Sequence, residues 1–164
     1  MGLTNLKSCF FIGHHDAPGV LADKLDASIE QHIVNFGVGS FVVGNYGNFD
    51  RMSQRALVRA KKHHPDIVIQ MAIPYHPALV PVKLPEGFDS VYFPNGQENV
   101  PRRAAIPRLN RTLVNESDFL IAYVRFISGG SYNVLQYARQ REKRGLLHIT
   151  QLGDSMTHTF ALCL

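Results

Sequence analysis

A chain of 164 residues with 45% hydrophobic and 18% charged residues has the makeup of an ordinary globular protein. It is long enough to bury a core as one domain over 1–164. No apolar run approaches the roughly 18 residues that a membrane span needs, so a membrane partner is not expected. The net charge of +4 fits nucleic acid, an anionic small molecule or simple solubility, and selects none of them.

The N-terminus, one lysine ahead of a short strand-like run, lacks the form of a secretory leader. Cys9 and Cys163 stand too far apart in sequence to make a disulfide framework. A reducing cytoplasm is therefore the expected location.

In chain order, Phe10-Phe11-Ile12 predicts a buried strand ending at Gly13. Val20, Leu21, Leu25, Ile29 and Ile33 recur at helical spacing, which predicts a helix from near Pro18 to Phe36. Ser40–Val43 predicts a second strand stopped by Gly44, and Phe49–His64 a second helix ended by Pro65. Ile67–Met71 predicts a third strand. Residues 73–100 differ in kind: Pro74, Pro77, Pro81, Pro85 and Pro94 break any helix, and only Ser90–Phe93 looks like a strand. A long irregular stretch of this sort is commonly functional. A helix over 101–115, a strand over 118–124, a helix over 132–143 and a strand over 146–150 complete the core, about 8–150. The tail over 152–164 carries weak signals.

Strands alternating with helices predict an α/β fold, a doubly wound and mainly parallel sheet of about five to six strands with helices on both faces. Ligands bind such sheets beyond the carboxyl ends of the strands, where strand order reverses. The segments leaving those ends carry Gly13-His14-His15-Asp16, Gly44–Asp50, Ile73-Pro74-Tyr75 and Ser128-Gly129-Gly130-Ser131. The last is the most informative. A strand that ends in a Gly-Gly turn and passes into a helix presents bare N–H groups at the positive end of the helix dipole, where phosphate binds with little help from side chains.

Asn45, Asn48 and Asp50 follow the second strand. They suit turn chemistry, with Asn48 as an N-cap, or hydrogen bonding to a ribose or a base edge. Arg102 and Arg103 open a helix, an unfavourable place against its dipole, and an anionic ligand would offset that. The later cluster Arg139, Arg141, Lys143 and Arg144 suits a helix C-terminus and is expected to be structural. His14-His15 and His63-His64 are adjacent pairs whose side chains diverge, and no set has zinc-ligand spacing, so neither a metal nor any other cofactor is expected. His14, one residue beyond Gly13, remains a candidate ligand contact.

Phe11-Ile12-Gly13-His14-His15, Val43–Arg51, Pro101-Arg102-Arg103 with Asn110, Ser117–Ile121 and Gly129-Gly130 together resemble the SLOG superfamily. This Rossmann-like group contains the lonely-guy phosphoribohydrolases, the DprA-type DNA-processing proteins and the YpsA-like proteins. The similarity is closest to the small YpsA-like members and covers about residues 8–150. It implies a homo-oligomer, because related folds commonly pair through helices. It also places Arg102 at the catalytic arginine position of the lonely-guy enzymes. Their glycine signature is met only in part. Ser128 stands for its proline, Tyr132-Asn133 for its Gly-Thr, and Gln136 for its catalytic glutamate.

Glycosidic cleavage builds positive charge on ribose, which a carboxylate stabilises and an amide does not. Three readings follow. The first is a sensor or effector domain binding a nucleotide-like ligand, with phosphate at Gly129-Gly130, Arg102 or Arg103 at its side, and base or ribose toward Asn45, Asn48 and Asp50. The second is an N-glycosidase using Asp50 or Glu98, with Arg102, in place of the missing glutamate. The third, single-stranded DNA binding, is the least expected, since the charge is modest and no aromatic ladder is evident. Pro107 is expected to kink the arginine helix.

Overall fold

The computed structural model describes residues 5–153, and the expectation for the tail falls almost wholly outside them. Six strands form one sheet: β1 (Lys7–Gly13), β2 (Val38–Val43), β3 (Val68–Ala72), β4 (Ser90–Tyr92), β5 (Phe119–Tyr123) and β6 (His148–Gln151). Their order is β4-β3-β2-β1-β5-β6, and every neighbouring pair is parallel. Four helices connect them: α1 (Ala22–Val34), α2 (Asn48–His63), α3 (Ala105–Glu116) and α4 (Gly130–Lys143).

The strands alternate between two cores because successive side chains leave opposite faces. Cys9, Phe11, Phe41, Val43 and Ile69 meet Leu25 and Ile29 of α1 and Met52, Ala56 and Leu57 of α2. Phe10, Ile12, Val42, Leu120 and Ala122 meet Leu109 and Leu113 of α3 and Leu135 and Ala138 of α4. The sheet is thus doubly wound, with apolar cores on both faces. Phe10, Phe11, Phe41 and Phe49 are fully buried, and each such ring contributes about 2 kcal/mol of transfer free energy. Cys9 lies at the centre of β1 with no exposed surface, and burial pushes its thiol pKa well up.

Several details of the chain differ from expectation: Gly19–Leu21 form a 3-10 turn, so α1 begins at Ala22 and not near Pro18, and α4 begins at Gly130, two residues earlier than expected. The arginine pair does not open an α-helix: Arg102–Ala104 form a single 3-10 turn, and α3 begins at Ala105. Pro107 is then the third residue of α3. Its missing N–H is one of the four that the first turn leaves unpaired in any case, so no internal helix bond is lost there. Within the irregular stretch, Ser90–Tyr92 joins the sheet as an edge strand. The crossover from β3, residues 73–89, has no helix. Asp89 fastens its end, accepting from the Ile69 N–H at 2.8 Å and from Lys61 Nζ at 2.5 Å.

Candidate functional site

Strand order reverses between β1 and β5, so the loops leaving these strands diverge to opposite faces and leave a crevice at their carboxyl ends. A cleft of about 420 Å³ occupies it. One wall is the Gly13–Asp16 loop with Gly44, Tyr46 and Asp50, and the other is Phe126 with Ser128–Ser131. Ile106 and Asn110 of α3 close one side.

The Gly129-Gly130 turn is the N-terminus of α4. Gly129 is the N-cap with φ 96° and ψ 179°, a conformation that only glycine adopts without strain. No side chain caps the helix, and its first turn has no acidic residue. A Cβ built on Gly129 or Gly130 would meet nothing within 4 Å, so the approach to the turn is open. Ser131 Oγ donates to the Gly13 carbonyl at 3.0 Å, which fixes the turn against the end of β1.

His14 holds the two walls together. Its Nε2 accepts the Arg125 N–H at 2.8 Å and lies 3.4 Å from the Phe126 nitrogen. Its ring centroid is 5.0 Å from that of Phe126. An accepting Nε2 requires the neutral imidazole with its proton on Nδ1. Burial lowers the His14 pKa, Asp16 opposes that shift, and His15 and Arg125 reinforce it. His14 is therefore a neutral fastener of the β5–α4 loop at the mouth of the cleft.

Asp50, half-buried in the first turn of α2, accepts the Tyr46 N–H at 2.9 Å. Its carboxylate passes so close to Gly44 that a Cβ there would lie 2.7 Å from Oδ2. Burial raises its pKa to about 7, against smaller lowering effects from the Tyr46 N–H and Arg51. Near neutral pH the group is poised between acid and base.

The structure brings Gly13, His14, Asp50, Asn110, Ser128, Gly129, Gly130 and Ser131 to this cleft, and places the remaining sequence candidates elsewhere. The Asn48 amide donates to the Ala17 carbonyl and is spent on holding the β1–α1 loop, while Gly47 is the N-cap of α2. Asn45 lines a neighbouring hollow and receives Gln54 Nε2 at 3.3 Å. Glu98 and Arg102 line a third hollow. Glu98 accepts the Gly96 N–H at 3.1 Å, and the Arg102 guanidinium lies 5.1 Å from the centroid of the Tyr75 ring. Arg103 is exposed and borders none of the three hollows.

The segments Gly13–Asp16 and Gly44–Asp50, expected from the sequence at the ligand end of the sheet, also bring His15, Asp16 and Tyr46 to the main cleft, though none of the three was singled out as a contact. Phe126 lines it too and lay outside every candidate segment. Phe126 carries no signal in the sequence, because an apolar residue on a loop has no periodicity.

No family model matches the chain, and neither does any curated protein. Among solved structures, the chain is similar to DNA processing protein A from Helicobacter pylori, at 13% identity and a TM-score of 0.55. The match covers 96% of this chain and 80% of that one. The fold is Rossmann-like. At such identity the likeness carries the architecture alone; the neighbour itself is described by its single-stranded DNA binding mode. No described helix is long and apolar enough to cross a membrane.

Proposed function

We propose that this chain binds a nucleotide or nucleotide-derived phosphorylated ligand at the carboxyl edge of its sheet, as a sensor or effector-type domain of the SLOG group. The observation that carries this reading is the open, uncapped N-terminus of α4 at the β1/β5 reversal, facing a cleft of about 420 Å³. Phosphate would cap α4, where the dipole and the free N–H groups favour it. Ribose and base would extend toward Asp50 and Tyr46. Asp16, on the same wall, is a like charge to phosphate and supports keeping the anion at the α4 end. Calorimetric titration with AMP and with adenosine tests this. Binding of AMP but not adenosine is expected, and equal binding of the two would sink the phosphate assignment.

A second reading, hydrolysis of the N-glycosidic bond, is favoured by Asp50 alone. A carboxyl group with pKa about 7 inside the cleft suits general acid or base work, a role that Gln136 cannot fill. Chromatography of an AMP incubation decides it. Free adenine formed by the native protein and lost in Asp50→Asn would establish an enzyme, whereas intact AMP leaves the binding reading.

A further inference from the structure

The main cleft does not end at Tyr46. A second hollow of about 260 Å³ lies beyond β3, lined by Asn45, Tyr46, Pro74, Tyr75 and Lys83, and shares Tyr46 and Pro74 with the cleft. A third, about 120 Å³, shares Pro74 and Tyr75 with the second and adds Arg102. Adjoining through these shared residues, the three together form the candidate trough.

The far half of this trough has its own chemistry. Tyr46 is 47% exposed, and Tyr75 and Arg102 lie near enough to act electrostatically on its hydroxyl. Arg102 stacks over Tyr75, and Lys83 is exposed on the rim. The shelf is also held firmly. Buried Gln97 donates to the Pro74 carbonyl at 3.2 Å and to the Ala105 carbonyl at 2.8 Å, tying the turn after β3 to the start of α3. Tyrosine rings and a guanidinium plane accept a stacked base, while Arg102 and Lys83 attract an anion. Asp16 and Asp50 line the main cleft, while Lys83 and Arg102 line the two farther hollows, so the cations lie in a different part of the trough from the two acids.

We infer that the ligand is a 5′-phosphorylated linear dinucleotide. Its terminal phosphate caps α4, its first nucleoside fills the main cleft, its internucleotide phosphate lies toward Arg102 and Lys83, and its second base rests on the Tyr46–Tyr75 shelf. This rests on the phosphate-at-α4 reading above and names the class of molecule bound there.

The test is calorimetric titration of the full chain with dAMP, with the dinucleotide pdApdA and with a long oligodeoxyadenylate. A stacked base contributes roughly tenfold in affinity, so pdApdA should bind about tenfold more tightly than dAMP. Tyr75→Ala should erase that advantage while leaving dAMP binding as it was, which also reports that the variant is folded. Tyr75→Phe should keep the advantage, and Lys83→Ala should reduce it. Equal affinity for dAMP and pdApdA overturns the inference and leaves the phosphate reading intact. If dAMP and pdApdA both fail to bind, both readings fall. Affinity that climbs further with the long strand assigns the trough to single-stranded DNA and overturns the two-unit limit.

Discussion

Two helix N-termini flank the cleft, and they share one backbone device put to opposite uses. Gly47 before α2 has φ 98° and ψ 178°; Gly129 before α4 has φ 96° and ψ 179°. At α2 the device is filled by the protein itself. The Asn48 N–H donates to the His15 carbonyl at 2.7 Å, Asp50 supplies an acidic side chain in the first turn, and a Cβ on Gly47 would lie 2.5 Å from the His15 Cα. Neither helix has a capping side chain, but α4 has no acidic residue in its first turn, and a Cβ on Gly129 or Gly130 would meet nothing within 4 Å. The same geometry therefore makes a staple in one place and leaves the other open, at the end where the proposed phosphate would sit. What separates them is the His15 backbone packed against Gly47 and the acid in the first turn of α2 itself.

The sharpest way to break the contrast is to make α4 resemble α2. Gly130→Asp adds a carboxylate where a Cβ has room, and should weaken AMP binding by about 100-fold through like-charge repulsion. The same change should leave the fold as stable or raise it by about 0.5 kcal/mol, because an acid suits a helix N-terminus. Titration together with urea melts would show the opposite signs, and loss of both binding and stability would count against the open turn at α4.

An effect of comparable size separates the two glycines. Gly47→Ala combines backbone strain with a collision against the His15 backbone and should cost about 3 kcal/mol or more; Gly129→Ala meets strain alone and should cost about 1–2 kcal/mol. Equal losses in urea denaturation would show that the loops do not differ as described.

Asp50 gives the α2 side a pH signature. Its folded pKa, about 7, lies above the unfolded value near 3.8, so the folded protein holds the proton more tightly. Stability from this group is fully present below about pH 4 and is lost as pH rises to about 7, on the order of 4 kcal/mol for a shift of that size. Asp50→Asn should flatten that slope in melts taken across the window. The smallest effect belongs to His14, whose folded pKa is lowered. Its contribution is complete above the unfolded pKa and is lost as pH falls through the folded one, when a protonated Nε2 no longer accepts from Arg125. The protection factor of the Arg125 amide, taken against the intrinsic exchange rate at each pH, should fall on acidification in the native chain more than in His14→Ala.

The architecture was legible because β1, β2 and β5 are short apolar runs ended by glycine or polar loops, and because α1 and α2 keep helical periodicity through Leu25-Ile29 and Met52-Ala56. The open turn at α4 was legible because Gly129-Gly130 carries its meaning within two adjacent residues. Asn48 was not, since its partner is the Ala17 carbonyl in a separate loop, 31 residues away in sequence. That Arg102 opens a 3-10 turn and not α3 was not legible either, since the start of α3 is tied down by Gln97, whose two carbonyl partners, at Pro74 and Ala105, appear only once the chain has folded back. Residues whose role is local could be named from the chain, and residues whose role is fixed by a distant carbonyl could not.

The burial of Cys9 gives this protein a built-in clock. The thiol sits in the central strand, flanked by β2 and β5 and covered by α1 and α2, with its ionisation suppressed. A thiol-alkylating reagent reacts with the thiolate and needs access, so it can modify Cys9 only after the middle of the sheet has come apart. Mass spectrometry of the peptide around Cys9 after timed exposure to such a reagent would count complete openings of the molecule one by one, and a bound ligand that clamps β1 to β5 would slow that count without touching the sulfur.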